Sequence, residues 1–355
     1  MKAKNIIISS YCLVMAVVLA CSFIDNLGSQ MQPTRTPDQE GGEVPGSPTL
    51  AIESGDASPE AVENLPAGGC PENLGKIVFS YDPVDRSSIH YGIYLMNPDG
   101  SNRIRLSGLD EIHHTQPAWS PERCRIAFTS FTQDGDDDIY VMTADGKSIR
   151  RLTTDPARDM FPDWSPDGKQ IVFVSYRNGG IRNLFVMDAD GSHQRQLTTN
   201  PEEYSQWEQW SPTGDEIAFT YNPKSDTPKG GNIFVINLDG SGLRQITPDA
   251  GHLGDLDSAW SPDGKKMYFI SNRSSLTEIW EINLDGSGLR QISDISSGIS
   301  ITHSLRVSPD GKQIAFYGIG PEGTEYMQEI YVFNVDGSGL EDITHSPGQE
   351  EWLDW

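Results

Sequence analysis

The sequence predicts an all-β fold: a six-bladed β-propeller of four-stranded antiparallel blades, closed by a C-terminal strand that completes the first blade. Three observations predict it. Asp-Gly just after an alternating apolar run recurs six times, at Asp99-Gly100, Asp145-Gly146, Asp190-Gly191, Asp239-Gly240, Asp285-Gly286 and Asp336-Gly337. A second phrase, Trp-Ser-Pro followed by a turn and an apolar run, recurs out of phase with the first, as in DWSPDGKQIVFV from Asp163 to Val174. The first copy of the pattern lacks its opening strand, and the chain's closing stretch QEEWLDW, Gln349 to Trp355, supplies one.

Each repeat resolves into strands A to D. Strand A ends at Trp119, Trp164, Trp210, Trp260 or Val307, immediately before Ser-Pro. Strand B follows the turn, in CRIAFTS, KQIVFVS, DEIAFTY, KKMYFIS and KQIAFYG. Proline presets φ at the corner of such a turn and glycine accepts the conformation that closes it. Strand C is an alternating apolar run (IYLMN, IYVMT, LFVMD, IFVIN, IWEIN, IYVFN) that leads into Asp-Gly. Strand D is the short run after it, such as RIRLS or LRQIT. Asp-Gly between alternating runs marks a tight hairpin, because glycine adopts the positive φ there without strain. Successive Asp-Gly pairs lie 45 to 51 residues apart, which suits one propeller blade per repeat. A solenoid would use shorter repeats and dedicated caps.

Six B-C-D sets are present, the first starting at Lys76 to Phe79, against five A strands that precede a B strand. Placing QEEWLDW before PENLGKIVF completes the phrase W-x-P-x-x-x-G-K-I-V-F. The expected blade one therefore joins the C-terminal strand to the N-terminal B strand, which removes the free sheet edges of an open ring. The propeller should span residues 70–355.

What precedes it is of a different kind. MKAKNIIISSYCLVMAVVLAC has Lys2 and Lys4, an apolar run from Ile6 to Ala20, then Cys21. This has the build of a secretory signal over residues 1–20. Val18-Leu19-Ala20-Cys21 resembles a bacterial lipobox, and the resemblance implies cleavage after Ala20 and diacylglyceryl attachment to Cys21. The other reading is a plain secretory signal with an incidental cysteine. Residues 21–69 read as an acidic Pro/Ser/Gly-rich tether: from Ser22 to Gly69 there are six prolines, eight acidic residues and one basic residue, Arg35. Such a stretch buries too little apolar surface to offset its ordering entropy. The expected location is exported and membrane-anchored, facing a periplasm or the cell exterior. With Cys12 inside the signal, Cys70 and Cys124 remain. Strand register puts them on neighbouring blades, so either a disulfide joins them or they are two separate thiols.

The formal net charge of −25 argues against nucleic acid, whose phosphates need a basic surface. It leaves basic partners, cations and neutral ligands.

The phrases WSPDGKQIVF, IYVMTADG and RQLT resemble the six-bladed repeats of the TolB C-terminal domain, from about Asn73 to Trp355. The resemblance implies the fold strongly and the function weakly, because such propellers serve binding proteins, peptidases and sugar-acid lyases. TolB itself carries an α/β domain ahead of its propeller; here a signal and an acidic tether take its place, so the Tol-complex role is not carried over. Propeller-gated serine peptidases bring an α/β-hydrolase domain with a G-x-S-x-G elbow. No such elbow occurs in these 355 residues, and the expectation is a non-enzyme.

The A–B and C–D turns are short and uniform and share one face; the B–C and D–A loops share the other and carry the length variation. Variable loops on a rigid scaffold usually carry recognition. The expected function is thus a monomeric protein- or peptide-binding module, whose acidic charge suits a basic partner, engaged through the B–C/D–A loop face. Candidates on that face are His114, Gln116, Asp159, Trp207, Asp257, His303 and Trp352, with His113, Tyr204, Gln206, His252, Asp255 and Glu350 beside them. The Trp residues of the Trp-Ser-Pro phrase are expected in the core. The alternative is a carbohydrate-active enzyme similar to metal-dependent oligouronide lyases, with His114, His252 and His303 near the channel mouth. The run Asp134-Gly135-Asp136-Asp137-Asp138 lacks the length and final Glu of an EF-hand loop and reads as a solvated hairpin tip. No cofactor, catalytic residue or metal ligand is assigned.

Overall fold

A computed structural model describes residues 76–355 apart from 84–90, 108–111, 132–136, 178, 200–204, 222–230, 249–253, 275, 295–297, 321–327 and 346–347. The expected signal and tether, the 70–355 boundary, and Cys21 and Cys70 lie outside these residues. Among the described residues the chain is all-β, and no helix is long and apolar enough to cross a membrane.

Six antiparallel sheets follow one another, each in the order A-B-C-D. In blade two the strands are His114–Trp119, Arg125–Phe131, Asp137–Thr143 and Arg150–Arg151. Blades three, four and five repeat this from Asp159–Trp164, Ser205–Trp210 and Asp255–Trp260. The D strands are two residues long throughout, so each blade has only a short outer edge. Blade one confirms the closure: Gln349–Asp354 pairs antiparallel with Ile77–Asp82, which pairs with Gly92–Met96 and then Ile104–Arg105.

Blade six departs from the expected single A strand. Ser300–Ile301 and Arg306–Val307 both pair with Gln313–Ile319, and the stretch between them leaves the ladder at Ser304, where φ is +59°.

The core is divided in six. Each hydrophobic cluster lies between consecutive blades: Trp119 packs with Val78 and Ile93 of blade one, Trp164 with Val141 of blade two, and Trp210 with Val186 of blade three. Trp260 packs on blade four, and Trp355 closes the series against Ala315 and Tyr317 of blade six. These five indoles are 4–7% exposed, so they are core as expected. Each side chain faces the preceding blade, so neighbouring blades stabilise one another by burial rather than by backbone pairing.

Candidate functional site

The inner A strands converge on the channel and bring the candidate residues together. Aligned on their last residue, they share one deformation. The third residue of each six-residue frame has positive φ: Gln116 (54°), Phe161 (57°), Trp207 (56°), Asp257 (36°), Ser304 (59°) and Trp352 (47°). The A–B register slips at this point in blades one to five. A bulge leaves one residue unpaired and re-aims its side chain. Non-glycine residues pay a steric cost at positive φ, and a tryptophan or phenylalanine there is an outlier that the surroundings must hold in place.

The bulges also free backbone N–H groups, and the preceding blade takes them up. Gln116 Oε1 accepts the Phe161 N–H at 3.0 Å and the Thr129 hydroxyl at 2.6 Å. Asp257 accepts from the amides of Ser304 and, at 3.2 Å, Leu305. Two residues further along the frame the device recurs. Asp354 Oδ2 accepts the Trp119 N–H at 2.7 Å, Asp163 Oδ2 the Trp210 N–H at 2.8 Å, and Gln209 Oε1 the Trp260 N–H at 3.1 Å. Gln116 and Asp257 thus join blades.

Two more candidates have structural partners. His114 Nδ1 lies 2.8 Å from Ser107 Oγ and its ring rests on Phe128. Asp159, fully buried, pairs with Arg177, as Asp255 pairs with Arg273 at 2.6 Å two blades on. Tyr204 and His252, and the Gln206 side chain, lie outside the described residues. The acidic run is corrected in part: Asp137 and Asp138 are not a solvated tip but buried strand residues, paired with Arg158 and Arg151. Asp134 and Asp136 lie outside the described residues. Cys124 is disulfide-bonded, and its expected partner, Cys70, is outside them too.

Of the remaining candidates, Trp352 and His303 meet in the channel. Trp352 of blade one packs at a tilt against His303 of blade six, ring centroids 4.7 Å apart. It also makes an edge contact, at 4.9 Å, with Phe161 of blade three. Blades one and three are not neighbours, so this contact spans the channel and narrows it to an aromatic plug. His303 stacks in turn on Tyr317 at 5.2 Å. His303 Nε2, Tyr317 Oη and Trp207 Nε1 are buried without a hydrogen-bond partner. Burial pushes the His303 pKa down to about 4, so the ring is neutral at pH 7. Burial pushes Glu351, beside Trp352, up to about 7. Phe161 was missed because nothing in DMFPDW marks a bulge.

On the turn side of the plug lies an acidic group that sequence reading also missed. Arg306 pairs with Asp354 at 3.3 Å and approaches Asp257 to 3.8 Å. Asp163 and Glu208 feel the same guanidinium. Burial is the main cause that raises Asp163 to about 7, Asp257 to about 6 and Glu208 well above the usual range. Beyond this group, a cavity of about 620 Å³ opens on the turn face, walled by the Trp-Ser-Pro phrases of several blades. Among the described residues, no cluster of three or more His, Cys, Asp or Glu is arranged to hold a metal ion.

A family model described as the TolB beta propeller domain matches residues 83–228 and 209–351. An uncharacterized Agrobacterium fabrum protein, Atu1656, is 29% identical over 143 residues, 39% of this chain and 46% of that protein. Dipeptidyl-peptidase 5 of Porphyromonas gingivalis is 44% identical over 84 residues, 24% of this chain and 12% of the peptidase. The chain therefore spans less than half the length of either curated relative. The crystal structure of TolB from Acinetobacter baumannii superposes with a TM-score of 0.65 at 18% identity, covering 79% of this chain and 66% of that one.

Proposed function

The chain belongs to the TolB beta propeller domain family, and from that premise we propose that it is an exported, lipid-anchored module that binds a protein or peptide partner through its B–C/D–A loop face. The observation that carries this reading is the aromatic group at mid-channel. Six positive-φ positions, five of them at bulges, hold strained residues around the axis, and three of them are Trp207, Phe161 and Trp352. Trp207 and His303 keep a ring nitrogen without an internal partner, although both are held in the channel wall. Aromatic side chains with an unmet polar group are frequent anchors of recognition, because they offer area and one directional bond at little entropic cost. An extended segment entering from the loop face would meet these groups first.

The lyase reading loses support at its histidines. His114 is engaged by Ser107 and Phe128 and the His303 ring is stacked on Tyr317, while His252 lies outside the described residues.

The test is site-specific photocrosslinking in native membranes. A photoreactive residue at Trp207 should give a discrete adduct, and one at Arg290, on an outer D strand, should give none. Adducts from Arg290 alone would contradict the assigned face. Anchoring has its own readout: labelled fatty acid should enter the chain and be absent from Cys21→Ala.

A further inference from the structure

The turn-face cavity has no role in that reading, and its chemistry points to a second ligand. We infer that it is a binding site for a small aliphatic di- or polyamine. Its volume of about 620 Å³ falls in the range of small-molecule sites and is modest for a docking groove. Indoles of Trp119, Trp164 and Trp210 and the prolines that follow form the wall. Guanidiniums of Arg123 and Arg125 already lie over the Trp119 and Trp164 rings, so what the wall offers a ligand is apolar area that suits methylene groups. The inner end carries Asp163 and Asp354.

These two carboxylates differ. Asp354 is committed: one oxygen takes the Trp119 amide at 2.7 Å and the other faces Arg306 at 3.3 Å. Asp163 takes the Trp210 amide and, among the described residues, makes no ion pair. Behind it, at the blade three–blade four interface, Glu208 is 4% exposed and neither of its oxygens has a hydrogen-bond partner. Blades one and six place Leu353 and Leu305 at this point of the frame, both within hydrophobic clusters. A carboxyl at a leucine position, unpaired, is costly for folding alone. Asp163, Asp257 and Asp354 act on the Arg306 guanidinium, and Glu208 lies within reach of both Arg306 and Arg182. The arginine that lines the wall, Arg123, is turned onto the Trp119 ring and the Lys76 carbonyl and lies near Asp354. Of these acids Asp163 lines the cavity without an ion pair of its own among the described residues, and the whole chain is acidic. An ammonium at Asp163 supplies what is missing. This inference does not depend on the loop-face reading.

The experiment is calorimetric titration of the full chain with putrescine, with butanediol as the uncharged isostere and the tripeptide Gly-Lys-Gly as the peptide source. Putrescine should bind and raise Tm, and butanediol should do neither. Asp163→Asn keeps an acceptor for the Trp210 amide, so it should fold, yet weaken putrescine about tenfold or more. Gln209→Glu adds a carboxylate to the wall while keeping an acceptor for the Trp260 amide, and should tighten binding by about tenfold. Trp207→Ala should leave putrescine binding within about twofold, which separates this site from the loop face. The inference is overturned by no heat and no Tm shift at about 10 mM putrescine, by equal binding of butanediol, or by unchanged affinity in both charge variants. Tighter binding of Gly-Lys-Gly than of putrescine would assign the cavity to a peptide and overturn it too.

Discussion

At the scale of residues, the buried acids are the most informative feature. Glu208 occupies a core position without a partner, so Glu208→Leu should stabilise the free protein by about 1–3 kcal/mol, read from denaturant midpoints at constant m. The same acids set the pH dependence. Asp163 and Asp257 are raised in the folded state to about 7 and about 6, mainly by burial. Folding therefore takes up protons between the usual carboxylate range and these values. The stability they contribute is greatest near the acid end of that window and falls as pH rises through about 6 to 7. These acids favour a higher Tm at about pH 5 than at about pH 8, and the buried neutral His303 opposes them as pH falls below the ordinary imidazole value. Asp163→Asn should move the balance toward pH 8 relative to the unsubstituted chain. Exposed turn aspartates such as Asp99 and Asp239 are shifted the other way by their Ser hydroxyls and amides. Their contribution is lost only as pH falls below the ordinary carboxylate range, outside the window being measured.

At the scale of elements, the bulge and the Asp-Gly hairpin make opposite demands on sequence. The bulge depends on a partner in the next blade. Asp257→Ala strands the amides of Ser304 and Leu305 and should cost about 2–4 kcal/mol, while Asp257→Asn, which retains an acceptor, should cost about 1. The hairpin depends on glycine. Gly100 and Gly286 have nearly equal φ, 76° and 81°, yet a Cβ would lie 1.8 Å from the Ile343 carbonyl at Gly100 and 3.9 Å from Ile246 at Gly286. Gly286→Ala should therefore cost only the left-handed penalty of about 1–2 kcal/mol, whereas Gly100→Ala should cost clearly more, since blade one must shift from blade six. The contrast shows what sequence reveals. Asp-Gly, Ser-Pro and the alternating runs state their local conformation in residue type, so blades and hairpins were legible. Positive φ at Gln116, Phe161 or Trp352 has no residue signature, so the bulges and the plug were not. The structural roles of Gln116, Asp159 and His114 depend on partners 45, 18 and 7 residues away. As a result these three looked like site residues when read along the chain.

At the scale of the whole molecule, the ring is held by six interblade slabs, and the slab between blades six and one is the only one whose two sides lie at opposite ends of the propeller sequence. It is also heavily tied. Trp355 and Leu353 bury into it, Arg103 meets the fully buried Glu350 at 3.2 Å, and Asp354 reaches both Trp119 and Arg306. The channel, its two faces, the plug built on Trp352 and the acid group built on Asp354 all presuppose this junction. Without it, Ile77–Asp82 becomes an exposed edge and the slab loses one wall, which is the condition for uncoupled melting of terminal blades. The most direct measurement is hydrogen exchange along the chain during denaturant unfolding, comparing the full protein with one lacking Gln349 to Trp355. A closed ring predicts that the intact protein loses protection in all six blades together. In the truncated chain, blades one and six should open first and at distinctly lower denaturant. Equal protection of Ile77–Asp82 in both chains, with one shared transition, would contradict the account.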